Sequence, residues 1–104
     1  MHQLARVLRI NRPKPKASAY DPDLWEPVGK DLTGFVTPAS LSLRQMNQAL
    51  GITVTHVGIL PIGADVKILD QIEVLEQGQV CERYVVRTKG SANTVLSCGL
   101  EAIL

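Results

Sequence analysis

The feature that most constrains the fold is a set of short apolar runs between residues 51 and 75, bounded by glycine, proline or aspartate. The runs cover residues 52–60, 66–69 and 72–75, and they are rich in isoleucine and valine. Short runs of this composition between turn residues are typical of strands rather than helices. Short strands joined by tight turns form a meander, and a small all-β domain hides its edges by curling or closing. This stretch therefore predicts a mainly β fold, a small closed or nearly closed antiparallel β-barrel.

The length of 104 residues indicates a single domain covering residues 1–104. A chain of this size buries roughly two thirds of its unfolded surface, so it needs neither a disulfide nor a metal to fold. No apolar run approaches the ~20 residues of a membrane span, and the first residues lack the apolar segment of a signal peptide. We therefore expect a protein that folds in the cytoplasm and makes no membrane contact.

Further strands are predicted on both sides of the meander. Residues 4–10 read as the first strand, which should end at residues 12–16 because proline cannot donate a hydrogen bond to a strand ladder. Residues 80–87 and 94–104 read as the last two strands, with a turn at residues 88–93 between them. The chain should therefore end on a strand.

The least regular region is predicted to be a long loop at about residues 11–34, which contains four prolines. A short strand at residues 25–28 would divide it. Loops longer than roughly 12–15 residues are uncommon in compact domains and often functional. Trp25 has two interpretations here: a core residue that anchors the loop on the barrel, or an exposed anchor for an interface.

One amphipathic helix of about three turns is predicted at about residues 38–50. Thr37 suits the capping position, Pro38 the first helical position, and Gly51 the C-terminal stop. The apolar residues at helical spacing share one face: Ala39, Leu43, Met46 and Leu50. Such a helix either plugs one end of the barrel or docks on a neighbouring subunit.

Strand alternation predicts the environment of both cysteines and of one glutamate. If the apolar faces of the last two strands coincide, Cys98 points inward and Cys81 outward, so both are expected to be free thiols. By the same alternation, Glu73 points outward if Ile72 and Val74 point inward. Its carboxylate is then a solvent-facing strand position.

Signatures of catalysis or cofactor binding are absent from the sequence. The two histidines and two cysteines lack the spacing of metal ligands, and His56 is expected to be a hydrogen-bonded residue of its strand. No phosphate-binding glycine motif, nucleophile elbow or acid/base carboxylate pair occurs. We expect no enzyme activity, no catalytic residue, no cofactor and no metal site.

The formal net charge of +1 is unevenly distributed along the chain. Residues 1–20 carry only basic charges, whereas acidic residues dominate residues 21–34. A basic segment of this kind either contacts phosphates or an acidic surface, or is a solvated region. The candidate residues for an interface or a channel loop are Arg12, Lys14, Lys16, Tyr20, Trp25, Lys30 and Arg44.

The order of several short segments resembles a known family. The segments that carry the resemblance are Trp25, residues 42–50, Val54-Thr55-His56, residues 63–69, residues 70–75, Tyr84-Val85-Val86 and Leu100-Glu101-Ala102-Ile103. Together they span nearly the whole chain. Their order is similar to that of the head-closure proteins of long-tailed phages, also called head–tail joining, head-completion or stopper proteins.

The resemblance implies a virion structural protein of the head–tail connector, assembled in the host cytoplasm. Its homo-oligomeric ring would lie between the portal and its adaptor on the head side and the tail-completion protein on the tail side. The ring would close the portal channel after DNA packaging, with loops that contact DNA, and would provide the surface for tail attachment. Two alternatives remain: a tail-terminator or tail-completion ring protein, and a small-barrel nucleic-acid-binding module. The basic segment favours the module, whereas the scarcity of aromatic residues counts against it.

Overall fold

The chain folds into a mainly β structure, seen here in a computed structural model. The structure describes residues 5–22, 24–92 and 94–103. Within them, the elements in chain order are β1 (Arg6–Pro13), β2 (Trp25–Pro27), β3 (Leu32–Pro38), α1 (Leu41–Ala49), β4 (His56–Pro61), β5 (Gln71–Glu76), β6 (Gln79–Ala92) and β7 (Val95–Ala102). The predicted fold class, with one short helix, is confirmed.

Six of these strands close into an antiparallel barrel. The order around the wall is β1, β3, β4, β7, β6 and β5, and β5 pairs back to β1, with Ile10 opposite Ile72. The remaining strand, β2, pairs with the end of β1, where Pro13 lies opposite Trp25. Closure leaves the six wall strands without a continuous open edge, which removes the template for edge-to-edge aggregation.

The interior of the barrel is filled mainly by aliphatic side chains that alternate along the strands. The core cluster consists of Leu8, Ile10, Leu60, Val66, Ile72, Val74, Tyr84, Val86, Leu96, Cys98 and Leu100. Small residues let neighbouring strands approach: a Cβ atom on Gly34 would lie 2.6 Å from the carbonyl oxygen of Ile59. The core thus rests on the strand alternation that the sequence indicated.

The connections between strands fall at two opposite rims because neighbouring strands run antiparallel. At the upper rim, β1 and β4 end and β3 and β5 begin, so residues 14–22, 24, 28–31 and 62–70 lie there. At the lower rim, α1 joins β3 to β4, and a turn at residues 77–78 joins β5 to β6. The barrel therefore presents a loop-rich upper rim and a lower rim that carries the helix.

The predicted long loop at residues 11–34 is shorter than its expected bounds. Strand β1 continues through Pro13, and β3 already begins at Leu32. Strand β2 divides the region, as the sequence indicated, and residues 14–22, 24 and 28–31 are irregular. Pro13 is tolerated in β1 because it is the last residue of the strand.

The helix begins three residues later than predicted. Thr37 and Pro38 belong to β3, where Pro38 lies opposite His56. The capping residue is Ser40, whose Oγ accepts a hydrogen bond from the backbone N–H of Leu43 at 3.2 Å. Gly51 has a φ of 77°, so the predicted stop at this glycine is confirmed.

Three other local predictions are wrong. Residues 52–55 are not part of a strand, and residues 66–69 form a turn in which Leu69 has a φ of 77°. Residues 88–92 continue β6 because β7 pairs with them, after a bulge between Val86 and Thr88. Leu4 and Leu104, the predicted ends of the first and last strands, and Asn93 of the predicted turn lie outside the described residues.

Candidate functional site

The most prominent feature of the upper rim is an ordered hairpin formed by residues 12–22 and 24–27, which we call the arm. Its two sides are held by the pairing of Pro13 with Trp25 and by a hydrogen bond from Lys14 N to Leu24 O at 2.9 Å. The Asp21 carboxylate closes the tip, because its Oδ2 accepts from the backbone N–H groups of Ala17 and Ser18, both at 3.0 Å. Local side-chain bonds of this kind fix a turn without a core.

Five of the seven candidate residues lie on the arm: Arg12, Lys14, Lys16, Tyr20 and Trp25. Tyr20 is 97% exposed near the tip, and Trp25 is 38% exposed on β2. Of the two interpretations of Trp25, the core residue is therefore wrong. Lys14 and Lys16 are exposed on the same hairpin, so the arm combines basic and aromatic groups.

Arg12, at the base of the arm, lies in an ion pair rather than in open solvent. Its guanidinium donates to both carboxylate oxygens of Asp70, at 3.2 and 3.0 Å, and to Asp65 at 3.1 Å. Asp70 is only 2% exposed and also accepts from the backbone N–H of Lys67. Hydrogen bonds to Asp70 and Asp65 raise the pKa of Arg12, and the bond to Arg12 lowers the pKa of Asp65. Arg12 thus fastens the arm to the turn before β5.

The other two candidates do not join the arm as a single patch. Lys30 is exposed in the connection between β2 and β3, also at the upper rim. Arg44 lies on α1 at the lower rim, where its Nη2 donates to the carbonyl oxygen of Thr55 at 3.1 Å. The structure therefore separates Arg44 from the remaining candidates.

A polar cavity of about 430 Å³ lies beside the arm, on the outside of the barrel. It is lined by Arg9, Asn11, Trp25, Pro27, Gln71, Glu73 and Arg83. Trp25 and Pro27 of β2 contribute its apolar part, and β1, β5 and β6 contribute its polar part. A cavity of this size and composition is suited to holding a polar group of a partner.

The polar part of the cavity is a connected network. Asn11 Nδ2 donates to Glu73 Oε1 at 2.6 Å and to Gln71 Oε1 at 3.3 Å, and Arg83 Nε donates to Glu73 Oε2 at 2.9 Å. Arg9 Nε is 3.4 Å from Asp31 Oδ1. Both cavity-lining arginines therefore have a carboxylate beside them, which limits the net charge of the cavity.

The sequence patterns along single strands do not indicate this network. Glu73 points out of the barrel, as predicted, because Ile72 and Val74 fill the core, but it is only 7% exposed, so its predicted solvent-facing position is wrong. The available signal was the alternation of polar residues on two adjacent strands, Arg9 and Asn11 on β1 and Gln71 and Glu73 on β5. That signal becomes visible only when the pairing of β1 with β5 is known.

A second polar cluster lies at the lower end of the barrel. Arg6 Nη2 is 3.1 Å from Glu82 Oε2, and the Tyr84 hydroxyl donates to the same carboxylate. The His56 ring packs against Tyr84 with centroids 4.9 Å apart. Burial lowers the pKa of His56. The pKa of Tyr84 is raised mainly by burial and also by its hydrogen bond to Glu82. A neutral imidazole and a protonated phenol are therefore favoured at this rim.

Both cysteines are free; Cys81 is exposed and Cys98 is buried, which confirms their predicted environments. Burial raises the pKa of the Cys98 thiol, which keeps it protonated. Across the described ranges, no group of three or more histidine, cysteine, aspartate or glutamate residues is arranged to hold a metal ion.

No protein-family model matches the chain, and no curated protein is significantly similar to it in sequence. None of the helical segments in the described part of the chain has the length and apolar content needed to cross a membrane.

Proposed function

We propose that this chain is a subunit of the head–tail connector of a tailed phage, in a ring that closes the portal channel after packaging. The observation that carries the proposal is the combination of a closed barrel with an ordered arm at one rim. The barrel supplies a rigid body without open strand edges, and the arm supplies a reaching element that is held by its own hydrogen bonds. The order of segments that resembles head-closure proteins points to the same role.

The surface of the arm supports contact with packaged DNA. Lys14 and Lys16 are exposed there, and Tyr20 presents nearly its whole side chain to solvent. Lysines neutralise phosphates, and exposed aromatic rings contact bases or partner proteins. Arg12 serves to hold the arm in place, because its guanidinium is bonded to Asp70 and Asp65.

The first test is electron microscopy of lysates from a phage that lacks the gene. The proposal expects heads that leak DNA beside complete, unattached tails, and rescue by the wild-type gene. Intact DNA-filled virions, or heads that never package, would contradict it. Complete heads beside tails of uncontrolled length would favour the tail-terminator alternative instead.

A second test separates the arm from the barrel. The Lys14→Glu variant is compared with Lys67→Glu, an exposed lysine outside the arm, because both substitutions change the net charge equally. We expect Lys14→Glu to fail in rescuing the mutant phage, whereas Lys67→Glu succeeds. Equal rescue by both variants argues against a contact role for the arm.

A nucleic-acid-binding module is the second candidate, and the grouping of lysines with Tyr20 and Trp25 on the arm favours it. It predicts that the isolated chain binds DNA tightly and that this affinity falls steeply with salt. Titration with a DNA duplex at two salt concentrations distinguishes the candidates. A ring subunit needs its neighbours for DNA contact and binds weakly alone.

A further inference from the structure

The cavity beside the arm is built around a row of three charged side chains on neighbouring strands. Glu73 of β5 lies opposite Arg9 of β1 on one side and opposite Arg83 of β6 on the other. Because neighbouring strands are about 4.8 Å apart, the Cα atoms of the two arginines are roughly 10 Å apart across Glu73. Arginine side chains are long enough over this distance for both guanidinium groups to reach one group in the cavity.

The floor of the cavity is a carboxylate that already has hydrogen-bond donors. Glu73 is 7% exposed, and its Oε1 accepts from Asn11 Nδ2 at 2.6 Å. Its Oε2 accepts from Arg83 Nε at 2.9 Å. A cation that entered the cavity would meet two guanidinium groups, and the one carboxylate in the lining is already bonded through both oxygens. The cavity is therefore poorly suited to a cation.

The two guanidinium groups retain donors for a ligand. Within the described ranges, Arg83 contacts Glu73 and Arg9 contacts Asp31 through the Nε atom alone. The Nη1 and Nη2 groups of both arginines have no partner among the described residues, and the side chains of Arg83 and Arg9 are 42% and 35% exposed. Planar guanidinium donors match the two oxygens of a carboxylate. The cavity thus has the donors of an anion-binding site.

The charge of the lining suits a ligand with a single negative charge. Among the described residues that line the cavity, Arg9 and Arg83 are basic and Glu73 is acidic, which gives a net charge of +1. Asp31, whose side chain is 46% exposed, lies beside Arg9 and would repel a second negative charge. A nucleic-acid strand brings a phosphate charge with every nucleotide, so the lining favours one carboxylate over DNA.

The apolar wall of the cavity is formed by two rings of β2, those of Trp25 and Pro27. Flat apolar groups pack well against an indole face. We propose that the cavity binds a carboxylate joined to a flat apolar group, with the carboxylate between Arg9 and Arg83 and the apolar group against Trp25. The site does not use the exposed lysines and Tyr20 of the arm, so the inference does not depend on the proposed function.

The test uses the fluorescence of Trp25, which is the only tryptophan of the chain and therefore reports on this cavity. The full chain is titrated with phenylacetate at constant ionic strength. Phenylacetamide, which has the same ring without the charge, and inorganic phosphate, which has charge without the ring, are the comparison ligands. A ligand as small as phenylacetate is expected to half-saturate the cavity at about 1–10 mM.

Two variants remove the proposed donors, and a third is the matched control. Arg9→Gln and Arg83→Gln are compared with Arg87→Gln, on the same strand as Arg83 but outside the lining. The side chain of Arg87 is 33% exposed and lies 3.8 Å from Glu101, so its surroundings resemble those of Arg9. Circular dichroism checks that each variant is folded. Arg9→Gln removes an exposed ion pair only and keeps the test decisive if Arg83→Gln unfolds.

We expect phenylacetate to change the fluorescence in a saturable way and the two comparison ligands to bind at least about 10-fold more weakly. Arg9→Gln and Arg83→Gln should each weaken phenylacetate binding by about 10-fold or more, and Arg87→Gln by less than about 2-fold. The absence of saturation up to about 50 mM overturns the proposal, given the affinity expected for a ligand of this size. Equal binding of phenylacetamide, tighter binding of phosphate, or equal weakening by Arg87→Gln also overturns it.

A second titration identifies the source of the carboxylate. The N-acetylated peptide Gly-Gly-Phe with a free C-terminal carboxylate is compared with phenylacetate and with the same peptide amidated at its C-terminus. Peptide binding about 10-fold tighter than that of phenylacetate assigns the site to the C-terminus of a protein chain, and similar affinity assigns it to a free aromatic acid. Both results require the carboxylate, so equal binding of the amidated peptide overturns the proposal.

Discussion

At the scale of single residues, the ion pairs of Arg12 show how burial determines the contribution of an ion pair to the free energy of unfolding. The same guanidinium binds Asp70, which is 2% exposed, and Asp65, whose side chain is 65% exposed. Exposed ion pairs contribute little because water and salt screen them, whereas breaking a buried pair leaves an uncompensated charge. The two aspartates thus form a matched pair of test positions.

Asp70→Ala is expected to lower the free energy of unfolding by about 3 kcal/mol, because Arg12 and the N–H of Lys67 lose their buried acceptor. Asp65→Ala should lower it by less than about 1 kcal/mol. Urea denaturation followed by circular dichroism measures both. Equal losses for the two variants would show that burial of Asp70 is not the source of the effect.

Two glycines test the close approach of strands in the wall. A Cβ atom on Gly34 would meet the carbonyl oxygen of Ile59 at 2.6 Å and Leu8 Cδ1 at 2.8 Å, whereas one on Gly90 would have no atom within 4 Å. Gly34→Ala should therefore destabilise the protein by about 2 kcal/mol. Gly90→Ala should be neutral or slightly stabilising, because alanine restricts the unfolded chain. The midpoints of urea unfolding provide the comparison, and similar midpoints would contradict the predicted clash.

His56 gives the fold a predictable response to pH. Burial lowers its pKa, Glu82 opposes that shift and Arg44 adds to it, and the net pKa lies below the ordinary value. As pH falls through about 6.5, the unfolded chain takes up the proton first, so the free energy of unfolding decreases. We expect His56→Gln to lose less stability than the wild type between about pH 7.5 and pH 5.5. Parallel urea titrations across this range check it, and identical losses would exclude His56 as the cause.

At the scale of elements, the sequence predicted strand and helix types better than their limits. The apolar run at residues 72–75 is correctly predicted as a strand, β5, because turn residues lie at both of its ends. The run at residues 66–69 has the same composition, but Asp70 accepts from Lys67 N and closes it into a turn. The helix start was misplaced because pairing of Pro38 with His56 holds the first predicted residues in β3. Tertiary pairing thus overrode local propensity at the start of the helix, whereas a local hydrogen bond did so at residues 66–69.

The tip of the arm illustrates a segment whose order depends on one side chain. Asp21 Oδ2 accepts from Ala17 N and Ser18 N, so Asp21→Ala should release residues 15–22 while the barrel stays intact. Trypsin is expected to cut the Asp21→Ala variant after Lys16 several-fold faster than it cuts the wild type. Arg12 and Lys14 are each followed by proline, which blocks cleavage there, so Lys16 is the site to monitor. Asp21→Asn retains an acceptor oxygen and serves as the control. Unchanged cleavage with Asp21→Ala would show that Asp21 does not hold the arm.

At the scale of the whole molecule, closure of the barrel was predicted but the pairing that achieves it was not. Strands β1 and β5 are far apart in the chain, and alternation alone does not specify which strands meet. The cavity beside the arm depends on this closure, since Asn11 reaches Glu73 only across the pairing of β1 with β5. The arm residues were accessible to sequence analysis because charge and proline mark them, whereas the polar network was not.

Closure also predicts how the molecule opens. Each wall strand is paired on both sides, so no strand can leave without breaking two ladders, and the barrel should unfold as one cooperative unit. As urea is increased, the free energies of hydrogen exchange of the amides in β5 and β7 should converge on the global free energy of unfolding. Amides of residues 14–22 in the arm and of α1 should exchange through smaller, urea-insensitive openings, because neither segment is paired within the wall. Separate exchange energies for β5 and β7 would contradict a single closed unit and point to a barrel that opens between β1 and β5.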